Sequence, residues 1–88
     1  MNIKNLVKIF KAIGNERRFL ILKYLFSSKE LSVGQISELI ELSFKSTSNH
    51  LSVLSNMDLV ISRQVSLNKF YSINKEAFPK EFIRFFKN

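Results

Sequence analysis

Two helix-start signals lie close together in the middle of the chain, and they constrain its fold more than any other feature. Ser32-Val33-Gly34-Gln35 has the spacing of a capping box, in which the serine caps the amide three residues on and the glutamine reaches back. Ser43 stands at the N-cap position of another helix, so that Leu42-Ser43 forms a tight joint. The sequence therefore predicts two short helices in succession, the first with these apolar residues inward: Ile36, Leu39 and Ile40.

The second of these helices, predicted over Ser43–Asn56, has two unlike faces. Thr47, Leu51 and Leu54 recur at i, i+4 and i+7 and form a buried stripe. The opposite face is short, polar and free of acids, and it carries Lys45, Ser46, Ser48, Asn49 and Ser52. A helix that enters the major groove of DNA needs such short donors and acceptors, because its backbone must approach the bases closely.

Two further helices are predicted at the N-terminal end. The first has its apolar residues at helical spacing and is followed by Gly14, which suits a C-terminal cap: Ile3, Leu6, Val7, Phe10 and Ile13. Asn15 caps the next helix, which is apolar nearly all round from Phe19 to Phe26. A helix of that kind is buried on several sides, so we expect it at the centre of the domain.

The hydrophobic period changes after Leu59. Two strands are predicted about a turn near Ser66 to Asn68, Leu31 fits a short strand, and Pro79 fits the first turn of a final helix. The order is helix, helix, short strand, helix, helix, hairpin, helix. This order predicts a mainly α protein with a small β-hairpin wing, a winged helix-turn-helix, as a single domain over residues 1–88.

The composition narrows the functions available to this chain. Fourteen Lys and Arg against seven Asp and Glu give a net charge of +7, which favours a polyanionic partner: nucleic acid or an anionic membrane surface. The absence of cysteine excludes disulfides, thiolate metal sites and thiol redox chemistry. No apolar run is long enough to cross a bilayer and no signal peptide is evident, so we expect a cytoplasmic protein without membrane association.

Three stretches of the chain resemble the ArsR family of winged-helix repressors. The resemblance extends from Phe10 to Ile73, which is most of the chain. The three stretches are Lys11-Ala12-Ile13-Gly14-Asn15-Glu16-Arg17-Arg18-Phe19-Leu20-Ile21-Leu22, the Leu42–Leu54 segment, and Leu59-Val60 leading through Arg63 to Phe70-Tyr71-Ser72-Ile73. The resemblance implies the fold and DNA binding. It does not extend to metal sensing, because the family's Cys-Val-Cys element corresponds here to Ser32-Val33-Gly34. With one histidine in the chain we expect no metal site and no cofactor.

The predicted DNA-binding residues lie on the Ser43–Asn56 helix and on the hairpin: Lys45, Ser46, Ser48, Asn49, His50, Ser52, Arg63 and Lys69. Arg63 and Lys69 suit phosphate contacts beside the minor groove, and lysine also protects sheet edges from pairing. His50 suits either a contact near DNA or a structural position. Phe44 suits either a thymine methyl or, as we prefer, cover for the joint between the two helices.

The terminal helices, over about 2–13 and 79–87, carry more apolar surface than one small core needs. The apolar residues of these helices either complete the core or form a dimer interface. The family resemblance favours a dimer interface, for which the predicted residues are Ile3, Leu6, Phe10, Phe82, Phe85 and Phe86. We therefore expect a homodimeric, sequence-specific repressor on a near-palindromic duplex operator. The alternatives are a winged-helix module for protein or RNA and a non-specific architectural DNA-binding protein. No constellation of catalytic residues is evident, and the sequence does not indicate an inducer.

Overall fold

The computed structural model describes residues 2–87, which form five α-helices and a small three-stranded sheet. The elements, in chain order, are α1 (Ile3–Ile13), α2 (Glu16–Phe26), β1 (Leu31–Ser32), α3 (Val33–Leu39), α4 (Phe44–Asn56), β2 (Val60–Val65), β3 (Asn68–Ile73) and α5 (Lys80–Lys87). A short 3-10 turn at Lys75–Ala77 joins β3 to α5. The predicted order of elements is confirmed, with the terminal helices starting one residue later than expected.

The N-caps form as the sequence predicts. The Asn15 side chain accepts a hydrogen bond from the backbone amide of Arg18, and the Ser43 side chain accepts one from the amide of Ser46. Both bonds of the capping box are present: Ser32 Oγ accepts from the Gln35 amide at 3.1 Å, and Gln35 Oε1 accepts from the Ser32 amide at 2.8 Å. These bonds satisfy amides that the first turn of each helix leaves unpaired.

Helices α3 and α4 end in the same way, with a residue in the left-handed conformation that is not glycine. Glu41 follows α3 with φ 53°, and the Leu42 amide donates to the Ser37 carbonyl at 3.0 Å. Asp58 follows α4 with φ 60°, and the Leu59 amide likewise donates to the carbonyl five residues back. This pattern is the Schellman motif, which reverses the chain sharply after each helix. It is the physical basis of the tight joint between α3 and α4.

Helix α2 lies at the centre of the domain, as its apolar sequence predicts. It contacts α1, α3, α4, α5 and β3. The core that surrounds it contains Ile9, Ala12, Ile21, Leu22, Leu25, Phe26, Val33, Ile36, Ile40, Leu51, Leu54, Leu59, Val60, Tyr71, Phe78 and Phe86. Each of the five α-helices contributes to this one cluster, so the helix-turn-helix and the terminal helices share a single hydrophobic core.

The sheet has the strand order β1-β3-β2 and is antiparallel throughout. Leu31 pairs with Tyr71, which confirms the short strand before α3. Strands β2 and β3 form the hairpin, and Val65 pairs with Asn68 across the two-residue loop Ser66-Leu67. Ser66 has φ 57°, and a positive φ at the first loop residue is typical of a type II′ turn.

Phe86 corrects one prediction about the dimer interface. Its side chain is 3% exposed in the single chain, where its ring stacks on Phe26 with centroids 4.9 Å apart. Phe19 lies against it on another side, at a centroid distance of 5.3 Å. The helical spacing of α5 does not tell which of the neighbouring residues Phe85 and Phe86 faces α2. The structure places Phe86 in the core, so it offers no surface to a second chain.

Candidate nucleic-acid interface

Helix α4 separates its apolar and polar residues as predicted. Thr47, Leu51 and Leu54 have no exposed surface and hold the helix against the core. The opposite side carries the predicted contact residues, of which Lys45, Asn49 and Ser52 are exposed and Ser46, Ser48 and His50 are half-buried. No Asp or Glu occurs between residues 42 and 57, so this face presents donors and acceptors without negative charge. Such a face is suited to a polyanion.

Arg17, in the first turn of α2, fixes the joint between α3 and α4. Its Nη1 donates to the carbonyl of Ile40 and, at 3.3 Å, to the carbonyl of Glu41. These carbonyls lie at the C-terminal end of α3, where a positive charge is also favoured by the helix dipole. The guanidinium therefore holds the turn that sets the direction of α4. Sequence reasoning missed this role, because the partners lie 23 and 24 residues away.

Arg18 makes the equivalent contact with the end of α1. Its Nε donates to the Ala12 carbonyl at 3.1 Å, and its Nη2 donates to the Lys11 carbonyl at 3.2 Å. Two successive residues of α2 thus bind the C-terminal ends of two different helices. The resemblance to the helix junction of the family includes both arginines, and their spacing in the chain gives no indication of these separate partners.

His50 lies on the half-buried edge of the α4 face, close to the two arginines. Burial lowers the pKa of His50 below its ordinary value, and the positive charges of Arg18 and Arg17 lower it further. These effects favour the neutral form of the imidazole in the folded chain. A neutral, half-buried ring fits a structural position beside α2 better than a charge contact with phosphate.

Phe44 is placed differently from our preferred interpretation. The side chain is 62% exposed at the first turn of α4, so it does not cover the joint between the helices. The apolar residues of the joint itself lie further inward, since Ile40 is buried and Leu42 is half-buried. The structure leaves an aromatic ring on the same exposed surface as the polar residues of α4.

The two predicted cations of the wing, Arg63 and Lys69, each lie against an aromatic ring. Arg63 donates from Nε to Glu30 Oε2 at 3.0 Å and from Nη2 to Glu30 Oε1 at 2.5 Å. Its guanidinium carbon is 5.4 Å from the centre of the Phe70 ring. The Nζ atom of Lys69 is 5.6 Å from the centre of the Tyr71 ring, another cation–π arrangement. The hydrogen bond from Arg63 holds the pKa of Glu30 below its ordinary value.

The tip of the wing carries a residue that sequence reasoning missed. Leu67, the second residue of the hairpin loop, is 95% exposed. Hairpin loops of two residues usually contain glycine, asparagine or aspartate, and the loop Ser66-Leu67 contains none of these. The structure shows that the loop presents an apolar side chain to solvent at the tip of the hairpin.

The outer surfaces of α1 and α5 form a second candidate interface, away from the core. Phe10 of α1 packs edge-to-face on Phe82 of α5, with ring centroids 5.5 Å apart. A groove of about 280 Å³ lies beside this pair and is lined by Phe10, Ile13, Glu81, Phe82 and Phe85. Ile3, Phe10 and Phe85 are exposed, and Leu6 and Phe82 are half-buried. Five of the six predicted dimer residues therefore keep surface on this side of the chain.

These features define a winged helix-turn-helix protein of the kind that regulates transcription by binding DNA. A recognition-type helix follows a tight joint, and a three-stranded sheet ends in an exposed hairpin beside it. Residues 15–62 match the family described as bacterial regulatory protein, arsR family. The chain belongs to this ArsR family.

Proteins of known sequence and structure agree with this assignment. The chain is 40% identical over 73 residues to the transcriptional activator HlyU of Vibrio cholerae, covering 83% of this chain and 67% of that protein. A structure of HlyU from the same organism has a TM-score of 0.82 at 36% identity, covering 97% and 92% of the two chains. The homodimeric winged helix-turn-helix domain of Mb0332 from Mycobacterium bovis has a TM-score of 0.77 at 25% identity, covering 96% and 73%.

The chain is therefore a DNA-binding transcriptional regulator, which confirms the function expected from the resemblance. Within residues 2–87, no group of three or more His, Asp or Glu side chains is arranged to hold a metal ion. None of the helices in this part of the chain is long and apolar enough to cross a membrane.

Proposed function

We propose that the chain binds duplex DNA as a homodimer, with α4 of each subunit in the major groove. The observation that carries this proposal is the polar face of α4, which contains no acidic residue. The apolar stripe on the opposite side of α4 is fully buried, and Arg17 holds the joint between α3 and α4. A helix held from behind in this way can bring its short side chains to the edges of bases.

Individual residues of α4 are assigned by their chemistry and exposure. Asn49 is exposed and offers both a donor and an acceptor, the pattern that reads adenine in a bidentate contact. Lys45 reaches phosphate or guanine, and Ser46, Ser48 and Ser52 contribute short hydroxyl contacts. The exposed ring of Phe44 is suited to the methyl group of thymine. His50 supports the helix from its half-buried edge.

The wing adds contacts that do not depend on sequence. Lys69 and Arg63 flank the hairpin, so that both reach the DNA backbone beside the minor groove when they leave their aromatic rings. This role rests on their charge and on their position beside the exposed hairpin loop.

The dimer forms through α1 and α5, whose outer surfaces carry Ile3, Leu6, Phe10, Phe82 and Phe85. An exposed aromatic and aliphatic surface of this kind is typical of an interface centre. Two-fold symmetry then places the two α4 helices in successive major grooves, about 34 Å apart on a near-palindromic operator. The homodimeric state named for the Mb0332 domain supports this arrangement.

We further propose that binding represses nearby genes in the cytoplasm, at the nucleoid. A dimer that covers two half-sites within a promoter blocks polymerase. HlyU, a relative, is named an activator, so a promoter–reporter assay with and without the protein is the test of direction. Lower reporter output on expression of the protein supports repression, and higher output contradicts it.

The binding proposal is tested by fluorescence anisotropy. The wild-type protein is titrated into the duplex upstream of its own gene and into a scrambled duplex, across a series of salt concentrations. We expect tight, salt-dependent binding that favours the native sequence, because base contacts add to phosphate contacts. Equal, weak binding to both duplexes contradicts a sequence-specific regulator. A preference for single strands or for RNA indicates a different kind of nucleic-acid module.

A further inference from the structure

Arg63 of the wing already has an anionic partner in the free protein. Its two hydrogen bonds to the two oxygens of Glu30 form a bidentate fork, and this is the one side-chain ion pair among residues 2–87. A guanidinium binds a phosphate group through the same fork of donors. The carboxylate of Glu30 therefore occupies the Nε–Nη2 edge of the guanidinium, one of the donor edges that a DNA phosphate would take.

The fold holds the two side chains in this position. Arg63 pairs with Phe70 on one side of β3, and Ser32 pairs with Phe70 on the other. Glu30 directly precedes β1, and its carboxylate reaches the guanidinium of Arg63 in this row. The Phe70 ring lies beneath the guanidinium and supports it. The pair thus joins the wing to the chain segment that enters the helix-turn-helix.

The pair remains accessible to a polyanion. The Arg63 side chain is 59% exposed, so a phosphate can approach it without any change in the core. When Arg63 moves to a phosphate group, it exchanges one bidentate contact with an anion for another, so the net gain in binding free energy is small. The carboxylate that it leaves behind then repels the DNA backbone.

We propose that Glu30 is a positioning residue that limits the affinity of the protein for DNA, because it competes with the phosphate backbone for Arg63. This inference rests on the proposed function, since it assumes that the wing approaches duplex DNA. Glu30 acts through Arg63, and the exchange requires no operator sequence, since phosphate contacts do not depend on sequence.

The experiment uses the full chain and a random-sequence duplex longer than two helical turns. Anisotropy gives the dissociation constant for the wild type, Glu30→Gln and Glu76→Gln at several salt concentrations. We expect Glu30→Gln to tighten binding about three- to fivefold, the scale of an exposed ion pair. Glu76→Gln changes the net charge equally at an exposed position on the 3-10 turn, and it should change affinity less than about twofold because salt screens distant charges.

The Arg63→Gln substitution provides the decisive comparison. In the Arg63→Gln background, Glu30→Gln should change the affinity for DNA no more than Glu76→Gln does, because no guanidinium is left for Glu30 to bind. Introduced into Glu30→Gln, Arg63→Gln should reduce the log–log salt slope by about 0.9, the value for one phosphate contact. A role confined to holding the wing would not give this salt signature. Thermal unfolding of each variant, with Glu30→Ala as a second replacement, verifies that the wing remains folded.

Other outcomes overturn the proposal. Weaker binding by Glu30→Gln shows that the pair holds the wing in its productive position, and an effect equal to that of Glu76→Gln shows general electrostatics only. An unchanged salt slope on loss of Arg63 shows that Arg63 contacts no phosphate. If the wild type has no salt-dependent affinity for any duplex, the proposed function fails as well, so the two failures are distinguishable.

Discussion

Asn49 gives a direct test of base recognition at the scale of one residue. We expect Asn49→Ala to lose about 1–3 kcal/mol of discrimination between native and scrambled duplexes, because a bidentate contact with a base edge disappears. Affinity for the scrambled duplex should change much less, since phosphate contacts remain. Parallel anisotropy titrations on the two duplexes measure both quantities.

Asn56→Ala is the matched control for Asn49, because it removes the same exposed side chain from the C-terminal end of α4. It should leave discrimination intact, as the bases are read near the N-terminal part of a recognition helix. An equal loss of affinity on both duplexes for Asn49→Ala would remove Asn49 from base readout.

His50 makes stability depend on pH in a defined direction. Burial and then Arg18 and Arg17 lower its pKa in the folded chain. The unfolded chain therefore takes up the proton first as pH falls below about 6.5, and the folded state loses stability over the pH range just below this value. We expect the urea midpoint of the wild type to fall more steeply over this range than that of His50→Gln.

The chain has one histidine, so the difference between the two proteins isolates this group. Parallel pH profiles for wild type and His50→Gln would contradict the assigned shift in pKa.

At the scale of elements, Arg17 tests what holds the helix-turn-helix together. Arg17→Gln removes charged hydrogen bonds to the carbonyls of Ile40 and Glu41. We expect it to lower the free energy of unfolding by about 1.5–3 kcal/mol, on the scale of hydrogen bonds that involve a charged group. Urea unfolding of the variant and the wild type measures the difference.

Lys23→Gln is the control for Arg17, because it removes one positive charge from an exposed position on the same helix. It should change stability by less than about 0.5 kcal/mol. If Arg17→Gln is no worse than Lys23→Gln, the contacts with the end of α3 contribute nothing measurable.

The sequence predicts those elements whose determinants are local. The caps at Asn15, Ser32 and Ser43 each depend on residues three positions apart, and all three form. The stripe of α4 follows from helical periodicity alone. The exact ends of the terminal helices differ by one residue, which is ordinary for helix termini.

The features that the sequence did not predict depend on distant partners. Arg63 meets Glu30 across 33 residues, and Arg17 meets α3 across 23. Phe85 and Phe86 are neighbours with the same chemistry, and only the position of α2 determines that Phe86 is inside. For the candidate site, residue types and the exposed face of α4 were predictable, whereas the contacts that orient the wing were not.

At the scale of the whole molecule, the proposed dimer depends on the outer surface of α1 and α5. Phe10→Glu places a charge in each half of a two-fold interface, where it has no partner. We expect the dimer dissociation constant to rise at least about thirtyfold, equivalent to about 2 kcal/mol. Analytical ultracentrifugation measures it, and affinity for the native duplex should fall in parallel, because both half-sites are then no longer bound together.

Ile3→Glu is the companion variant, since Ile3 is 79% exposed and its replacement should leave the fold of the single chain intact. Ile61→Glu is the control, because Ile61 is an exposed apolar residue of β2, outside the α1–α5 surface. Dissociation by Ile61→Glu but not by Ile3→Glu or Phe10→Glu would place the dimer contact on the wing.

The adjacent arginines at the start of α2 have a mechanical consequence. Their α-carbons are separated by about 3.8 Å, the distance across one peptide bond. The Arg18 side chain donates to a carbonyl at the end of α1, and the Arg17 side chain donates to a carbonyl at the end of α3. The first turn of α2 therefore links the C-terminal ends of α1 and α3 directly. A change in the position of α1 would therefore reach the joint that precedes α4 through the first turn of α2.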